Sequence, residues 1–479
     1  MRTFDLAIIG AGVIGSSIAR ELSRYKLSIA LLEKEEELSF GVSKSNSGII
    51  HPGTQNPPES LKGRLCVEGN RLTRFLSDDL GADFKETGEL ITAFNEDDVR
   101  RLQEIQKQGE MLSVPGLELK DKDWLKRNEP NLSPEVICAL YAPTAGIISP
   151  YRWVYDLCEN ARANGVRIFT SAGVTAVEKK NGLFELATNM GGIRSRFVVN
   201  AAGLFADQVS AMAGINDFTI RPRKGQEFLL DKKREAMTNH LIFPLPSPNS
   251  KGVIVIKTAD GNPMIGPTAE DIDDKDDLST TEEGLAKVFF QARRMVPAVS
   301  ENDIIAYFSG LRPVAGDDFI IRHEESLPGW VTVAGIQSPG LTASPAIARM
   351  VSGILAEHGL SLRKKLFFRR YRRRETRLSA FPLEGAKKLI AKDKSYGDIV
   401  CRCEMVSAKE INDAVDRGAR TMDGIKFRTR AQAGRCHGSF CTTRIMKILS
   451  AATGIPLTKI SKRGCGSELV KKDRRDERT

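Results

Sequence analysis

The chain has 479 residues, 41% of them hydrophobic, and a formal net charge of +10. This length exceeds one compact core and predicts two or three domains. Eight cysteines do not make a disulfide scaffold in a chain this long, and no window approaches ~20 uninterrupted apolar residues, so we expect no transmembrane helix. Isolated cysteines are typical of a reducing compartment, which favours a cytoplasmic protein.

The positive charge is concentrated at the C-terminal end. Residues 369–479 hold 28 of the 71 Lys+Arg residues but only 13 of the 61 Asp+Glu residues. A solvated basic surface explains this excess, as does a polyanionic partner, an acidic protein or an anionic cluster. Aromatic residues are not interleaved with the charges and no nucleic-acid motif occurs, so we expect no nucleic-acid partner.

The chain begins with a strand–turn–helix pattern. The stretch "DLAIIGAGVIG" predicts a buried strand leading into Gly10, Gly12 and Gly15, and a second strand, "LSIALLE", ends at Glu33. Glycines at this spacing let the backbone approach a pyrophosphate at a helix N-terminus. An acid after the second strand accepts hydrogen bonds from a ribose and disfavours NADP. The pattern predicts dinucleotide binding.

Two later segments extend this sheet. "SRFVVNAAGLFADQV" predicts a strand ending in small residues at Ala202 and Gly203. "GWVTVAGIQSPGLTASPAIARMVSGIL" predicts a strand, a turn and a helix that starts near Gly340, Leu341 and Thr342, whose N–H groups suit the pyrimidine end of a flavin. Because the sheet is completed so late in the chain, a second domain must be inserted between its strands. This interleaving favours FAD over NAD.

These segments, with "SKSNSGIIHPG" (43–53), "RPRKGQEFLLD" (221–231) and "SGLRPV" (309–314), resemble the D-amino-acid oxidase-type FAD oxidoreductases, in particular glycerol-3-phosphate and L-2-hydroxyglutarate dehydrogenases. The resemblance covers nearly the whole chain. It implies an α/β fold in which a Rossmann-like FAD-binding domain is interleaved with a mixed-sheet (α+β) substrate domain. The implied boundaries are an oxidoreductase over 1–368, with FAD-binding parts about 1–80, 145–215 and 325–360 and substrate parts about 81–144 and 216–324.

The resemblance also implies the residues that line the cofactor. We expect the FAD site to contain Gly10, Gly12, Gly15, Glu33, Lys34, Ser45, Asn46, Ser47, Gly48, Val174, Ala202, Gly203, Gly335, Gly340, Leu341 and Thr342.

Hydride transfer to a flavin requires a base for the substrate hydroxyl and a group that holds the anionic end of the substrate. His51 is the candidate base, and a hydrogen bond from it to the cofactor or a backbone carbonyl is the alternative. Arg312 in "SGLRPV" is expected to bind a carboxylate or phosphate, with structural pairing to an internal acid as the alternative. Lys257, Arg223 and Lys224 are weaker candidates for a phosphate.

Four cysteines cluster near the C-terminus, at Cys401 and Cys403 in "VCRCEM" and at Cys436 and Cys441 in "RCHGSFC". A disulfide framework is disfavoured in a cytosolic chain, and C-x-C is too tight for the usual zinc pair, although zinc stays an alternative. Chance is a poor explanation, because half of the eight cysteines fall within 41 residues.

The surrounding segment resembles the bacterioferritin-associated-ferredoxin-like 2Fe–2S module, which is small and helical. The resemblance implies that these four cysteines are the cluster ligands, that the module spans 397–462, and that 369–396 is a basic linker and 463–479 a charged tail. Cys465 departs from the family pattern. We expect four basic neighbours to offset the negative charge of the cluster: Arg402, Arg428, Arg430 and Arg435.

In the family, this pair of modules is found in the catalytic subunit of an anaerobic, multi-subunit glycerol-3-phosphate dehydrogenase. The resemblance therefore implies oxidation of sn-glycerol 3-phosphate to dihydroxyacetone phosphate, with electrons leaving through the cluster to a partner subunit. Membrane association is expected only through that partner. The alternatives are a dehydrogenase for L-2-hydroxyglutarate or another 2-hydroxy or amino acid, and a non-catalytic electron-transfer subunit.

Overall fold

The computed structural model describes residues 1–247 and 251–471. The chain divides into two compact units. The first comprises Met1–Leu32 and Ser39–Arg372, and the second comprises Glu33–Leu38 and the chain from Arg373 onward. The end of the predicted tail, 472–479, lies outside the described residues.

The helices are α1 (Val13–Leu22), α2 (Leu61–Leu80), α3 (Glu96–Met111), α4 (Lys122–Asn128), α5 (Pro150–Ala163), α6 (Ala206–Met212), α7 (Glu282–Met295), α8 (Gly340–Glu357), α9 (Leu383–Lys392), α10 (Ala408–Asp416), α11 (Met422–Thr429) and α12 (Thr442–Thr453). Within residues 1–247 and 251–471, none of the helices combines the length and hydropathy that a transmembrane span requires.

The strands are β1 (Arg2–Ile9), β2 (Ile29–Leu32), β3 (Ile49–Ile50), β4 (Lys85–Glu86), β5 (Glu89–Ala93), β6 (Glu118–Asp121), β7 (Cys138–Ala142), β8 (Gly146–Ile147), β9 (Arg167–Phe169), β10 (Val174–Lys180), β11 (Leu183–Thr188), β12 (Gly191–Asn200), β13 (Arg221–Leu230), β14 (Leu241–Phe243), β15 (Ile254–Lys257), β16 (Pro263–Gly266), β17 (Glu270–Asp271), β18 (Ile304–Val314), β19 (Ile320–His323), β20 (Trp330–Ala334), β21 (Ile399–Cys401) and β22 (Val406–Ser407).

The Rossmann-like sheet of the first unit has the strand order β10-β11-β12-β1-β2-β9, with β20 beside β12 and β19 beside β20. Strand β1 pairs in parallel with β12 and β2, so Ile8 lies between Val199 and Leu31. Every residue of β2 and β20 is buried, as expected for parallel strands covered on both faces. The strands come from three separate parts of the chain, which confirms the predicted interleaving.

The inserted sheet has the order β17-β13-β16-β15-β14-β5-β7-β6, with β18 beside β13. It is mixed, because β14 pairs in parallel with β5 while the other pairs are antiparallel. Phe228, Val255, Ile265 and Val288 belong to the core that packs helix α7 against this sheet. The long β13–β18 ladder places Arg223 opposite Arg312, so two sequence-predicted site residues share one edge of the sheet.

The second unit contains the β21–β22 hairpin and helices α10–α12. Ile411, Ile425, Ile445 and Leu449 are fully buried in its own core. Helix α10 begins with a capping box, in which the side chains of Ser407 and Glu410 each bind the other residue's backbone N–H. The segment 369–396, predicted as a linker, contains helix α9, whose residues all stay at least partly exposed.

Helices α2 and α8 meet at a glycine. A Cβ added to Gly69 would lie 2.1 Å from the carbonyl oxygen of Thr342. Glycine is the least favourable helix residue apart from proline, so its presence in α2 is explained by this close contact with the start of α8.

Gly69→Ala should therefore destabilise the first unit by about 1–3 kcal/mol, because the added methyl group forces the two helices apart. Gly353 in α8 is the matched control, since it is exposed and its added Cβ would meet no atom within 4 Å. Gly353→Ala should stabilise by about 0.5–1 kcal/mol through helix propensity alone. Urea unfolding measures both changes, and effects of the same sign would contradict the packing argument.

Candidate functional site

The glycine-rich turn after β1 is held by direct backbone contacts. Gly10 has a φ of +99°, and its added Cβ would lie 2.4 Å from the carbonyl oxygen of Ala201. An added Cβ on Gly15 would lie 1.9 Å from the carbonyl oxygen of Gly10. Gly12 caps α1 without a side chain, so the positive end of this helix can receive a pyrophosphate.

The other strand ends supply small residues. Ala202 and Gly203 follow β12, and Gly203 has a φ of +60° with open space where a Cβ would point. Gly335 follows β20 with a φ of +66°. Val174 opens β10 at the edge of the same sheet. This cradle of glycine and alanine, which larger side chains would fill, fits a dinucleotide.

Glu33 and Lys34 directly follow β2 and open the short segment that groups with the second unit. The Glu33 carboxylate is buried and accepts a hydrogen bond from the backbone N–H of Glu35 at 3.0 Å. Its oxygens therefore stay close to the end of the strand, where the sequence pattern expects a ribose ligand.

The segment Ser45–Gly48 turns back on itself before β3. The Asn46 amide donates to the carbonyl oxygen of Ser43 at 2.9 Å and accepts from the N–H of Gly48 at 3.0 Å. The carbonyl oxygen of Ser45 would lie 2.2 Å from a Cβ added to Gly310, so this loop rests on β18. The sequence-predicted flavin loop thus meets the "SGLRPV" strand.

His51 follows this loop and is enclosed by other side chains. Its N–H donates to Thr342 Oγ1 at 2.9 Å, which ties it to the start of α8, and its ring packs edge-on against Phe243. Burial, reinforced by the positive charge of Lys251, lowers the pKa of His51 to about 4. The imidazole is therefore neutral at neutral pH, as a base must be.

Glu89 is a site residue that the motif analysis missed. It is fully buried at the start of β5, with Oε2 3.8 Å from His51 Nδ1 and Oε1 accepting from Gln55 Nε2 at 3.1 Å. Among the described residues, Oε2 has no hydrogen-bond partner. A proton on Nδ1 would face this carboxylate and leave Nε2 as the basic nitrogen. The signal in the sequence was an acid leading the apolar strand "ELITA".

Arg312 is half-buried on β18 and binds carbonyl oxygens instead of an acid. Its guanidinium donates to the carbonyl oxygens of Thr268 at 2.6 Å, Arg223 at 3.3 Å and Lys224 at 3.4 Å. Burial lowers the pKa of Arg312 to about 10. Among the described residues, no carboxylate lies within ion-pair distance of it. Its charge is held in place without being neutralised.

Glu227 was also missed by the motif analysis. It lies on β13, is 4% exposed, and accepts a hydrogen bond from Ser47 Oγ at 3.1 Å. Its second oxygen has no hydrogen-bond partner in the part of the chain that the structure describes. Burial raises its pKa to about 7, against the opposing effects of Ser47 and the Arg312 charge. A carboxyl group that titrates near neutral pH therefore adjoins the predicted flavin loop.

Two of the three weaker candidates for substrate binding already pair with acids. Arg223 binds both carboxylate oxygens of Asp271, at 2.6 and 3.0 Å, and Lys224 pairs with Asp277 at 2.5 Å. Lys257 ends β15 and is partly buried. Arg223 and Lys224 thus have less capacity for a substrate anion than Arg312.

In the second unit, the four predicted cluster ligands come together as pairs. The sulfurs of Cys403 and Cys436 are 3.6 Å apart, while burial and the neighbouring Cys401 raise the pKa of Cys441 to about 12. Among the described residues, no three of these thiols group as tightly as a single-ion site requires. Paired thiols fit two irons with two ligands each better than one tetrahedral zinc.

The cluster loops carry unusual backbone angles. A Cβ added to Gly434 would lie 2.3 Å from the Cβ of Cys403, so the two loops approach as closely as glycine allows. Four residues that are not glycine adopt positive φ here: Met405, Arg430, Gln432 and His437. Backbone strain of this kind concentrates at functional sites.

The four arginines that were expected to offset the cluster charge differ in their pairing and in their exposure. Arg428 is buried and pairs with Glu37 at 2.9 Å, and Arg430 pairs with Glu404 at 3.2 Å. Arg402 and Arg435 are exposed beside the ligands. Because internal acids pair with Arg428 and Arg430, the charge compensation expected from these two arginines is reduced.

Two protein-family models match the chain. The FAD dependent oxidoreductase model matches residues 5–354, and the BFD-like 2Fe-2S binding domain model matches residues 399–451. The chain belongs to the FAD-dependent oxidoreductase family. The predicted family, enzyme class and both cofactors, FAD and a 2Fe–2S cluster, are therefore confirmed.

The chain is similar to several members of this family. The chain is 43% identical to a glycerol 3-phosphate dehydrogenase from Caloramator mitchellensis, over 98% of both proteins. It is 30% identical to a mitochondrial L-2-hydroxyglutarate dehydrogenase from Nematostella vectensis, over 74% of the chain and 91% of the relative. The structure of dithionite-reduced L-alpha-glycerophosphate oxidase from Mycoplasma pneumoniae with FAD bound matches with a TM-score of 0.74 and 31% identity, covering 78% of the chain and 100% of that structure.

The low pKa of His51 predicts a pH dependence of stability. The pKa is 6.5 without the fold and about 4 within it, so between these values the unfolded chain binds more protons. Lowering the pH through this window should cost the wild type about 3 kcal/mol of unfolding free energy that His51→Gln does not lose. Urea unfolding of both proteins near pH 4 and near pH 7 measures this, and a pH-independent difference between them would contradict it.

Proposed function

We propose that the protein oxidises sn-glycerol 3-phosphate to dihydroxyacetone phosphate and passes the electrons through its 2Fe–2S cluster to a partner subunit. The observation that carries this proposal is the combination of a neutral, largely enclosed imidazole, His51, with a half-buried guanidinium, Arg312, that pairs with none of the described acids. A secondary alcohol that carries an anionic group needs both. The extent of the similarity to the Caloramator dehydrogenase supports the choice of substrate.

His51 is proposed to remove the proton from the substrate hydroxyl through Nε2. Its neutral form is available at any pH above about 4, and Glu89 beside Nδ1 stabilises the imidazolium that forms. The base needs no prior release of a proton to solvent, because it is already neutral at working pH.

Arg312 is proposed to bind the phosphate. Three carbonyl oxygens orient its guanidinium without neutralising it, and its partial burial makes the attraction for an anion stronger than at a fully exposed arginine. Lys257 stays a secondary candidate. When bound, FAD accepts the hydride equivalent from the substrate carbon, and the cluster carries single electrons onward.

The surface beside the cluster supports an exit toward another protein. Cys403 is exposed, and Phe440, next to Cys441, is 83% exposed. A ligand at the surface lets an acceptor approach the irons closely. We propose an electron-accepting protein subunit as the partner, any membrane association through it, and a cytoplasmic location, which the eight free cysteines favour.

Arg312→Leu should lose most of kcat/KM for sn-glycerol 3-phosphate while keeping bound FAD, since losing a buried partner of an anion costs roughly 2–5 kcal/mol in transition-state binding. Arg223→Leu, on the facing strand, is the matched control and should stay within a few-fold of the wild type. Flavin bleaching in anaerobic stopped-flow experiments with sn-glycerol 3-phosphate, L-2-hydroxyglutarate and an amino acid identifies the substrate. The proposed activity would be wrong if either rival substrate bleached the flavin faster than sn-glycerol 3-phosphate, or if none of the three compounds bleached it.

Cys436→Ser separates the two halves of the reaction. A neutral hydroxyl replaces a thiolate ligand poorly, so the cluster should be lost while substrate still reduces the flavin at close to the normal rate. Turnover with the partner subunit should fail. The exposed Cys465→Ser is the control and should keep the EPR signal of the reduced cluster. Normal turnover in a cluster-free Cys436→Ser protein would show that the electrons leave by another route.

A further inference from the structure

One surface segment of the first unit combines exposed apolar side chains with a high density of positive charge. Residues 363–371, "RKKLFFRRY", contain five Lys and Arg residues and no acid. Among the described residues, Phe367 and Leu366 are the two most exposed large hydrophobic side chains, at 93% and 87%, and Tyr371 is 71% exposed. Single exposed apolar residues are common, but adjacent ones with this exposure are typical of interaction surfaces.

Hydrogen bonds hold the backbone of this segment on both sides of its exposed apolar pair. The N–H of Lys365 donates to the carbonyl oxygen of Arg24 at 2.9 Å, and the N–H of Arg369 donates to Asn164 Oδ1 at 2.9 Å. The chain bends between these two anchors. Phe368, by contrast, packs against the guanidinium group of Arg24, 5.6 Å from its ring centroid. The exposure of the apolar pair is therefore fixed by the fold and does not come from fraying of the chain.

The cations beside the bend keep most of their charge for a ligand. The side chains of Arg363, Lys364 and Arg369 are exposed, and none of them forms an ion pair with a described residue. Arg370 differs from them, because it pairs with Asp79 at 2.8 Å. The segment thus presents unpaired positive charge on both sides of an apolar tip.

An anionic lipid surface matches this combination better than a protein does. A membrane interface takes up projecting apolar side chains without a preformed pocket, and anionic head groups attract clustered Lys and Arg. The core of a protein interface is instead depleted in charged residues, whereas five of the nine residues here are basic. Tyrosine is enriched at the level of the lipid head groups, which suits the exposed Tyr371.

We propose that residues 363–371 bind the chain directly to an anionic lipid surface. Leu366 and Phe367 insert at the boundary between head groups and acyl chains, while Arg363, Lys364 and Arg369 contact the negative head groups. This contact adds to the association through the partner subunit. It depends neither on the proposed substrate nor on the cluster, because no residue of the segment belongs to either site.

Sedimentation of the full-length protein with lipid vesicles tests the apolar part of the surface. The wild type should bind vesicles of equal parts phosphatidylserine and phosphatidylcholine much more tightly than phosphatidylcholine alone. Leu366→Ser combined with Phe367→Ser should weaken this binding at least tenfold. Met111→Ser combined with Met190→Ser is the matched control, since it removes two apolar side chains of the first unit that are 75% and 72% exposed, and it should change nothing.

The charged part of the surface is tested in the same assay. Arg363→Gln combined with Lys364→Gln should weaken binding about tenfold or more, and added salt should weaken the binding of the wild type. Lys126→Gln combined with Arg127→Gln removes the same charge from the exposed end of α4 and should leave binding nearly unchanged. All these variants should keep the urea unfolding midpoint and the rate of flavin reduction of the wild type.

Fluorescence identifies the residue that enters the lipid. The emission of Phe367→Trp should shift to shorter wavelength when the phosphatidylserine vesicles are added, whereas that of Met190→Trp should not. Sedimentation that neither pair of substitutions weakens, or no sedimentation at all, overturns the proposal and leaves the segment as a surface for an acidic protein. An unshifted emission from Phe367→Trp also overturns it, because the bend would then stay outside the lipid.

Discussion

The first unit depends on a backbone contact that excludes every side chain at two positions. The turn after β1 passes under the end of β12 so closely that a Cβ at Gly10 would overlap the Ala201 carbonyl, and one at Gly15 would overlap Gly10 itself. This contact sets the spacing of α1, β1 and β12. The N-cap residue of α1, Gly12, has no side chain, and the N–H of Val13 donates to Ser43 Oγ at 2.9 Å. The positive end of the helix dipole still favours an anion at this position. The same atoms therefore fix the fold and prepare the pyrophosphate site.

The substrate side is built from buried groups with incomplete partners. Glu89 and Glu227 each leave one oxygen unbonded, and Arg312 binds only carbonyl oxygens. Each costs folding free energy, because a buried polar group without a full set of partners loses its hydration without replacement. These costs fall next to His51 and the flavin loop. Glu89 Oε2 faces His51 Nδ1 at 3.8 Å, and an anionic ligand would supply Arg312 with the charged partner that it lacks among the described residues. Without a ligand, these groups therefore make the free energy of unfolding lower than apolar side chains at the same positions would.

The parts predicted from sequence are those whose chemistry is local. The glycines of the first turn, the small residues after β12, and the cysteines of each C-terminal motif lie within a few residues of one another. Such local patterns are visible in a single sequence. Glu89 and Glu227 were missed because their roles arise from strands that are 38 and 180 residues distant from His51 and Ser47. Helix α9 was not predicted, because it is short and lies in a segment that its basic composition marked as a linker. The pairing of Arg428 with Glu37, 391 residues away, likewise has no local signal.

The second unit combines a buried core with an accessible face. A cluster must be held firmly, and the proposed electron transfer to a partner also requires that the cluster be accessible. The unit's own hydrophobic core buries Cys401 and Cys441, while Cys403 is exposed and Cys436 is half-buried. His437, with a positive φ, lies between the half-buried Cys436 and the buried Cys441. A cluster bound by these four cysteines would be fixed on one side by the core of the second unit and would lie nearest to solvent on the side of Cys403. The proposed electron transfer would then have a defined direction of departure without any movement of the core.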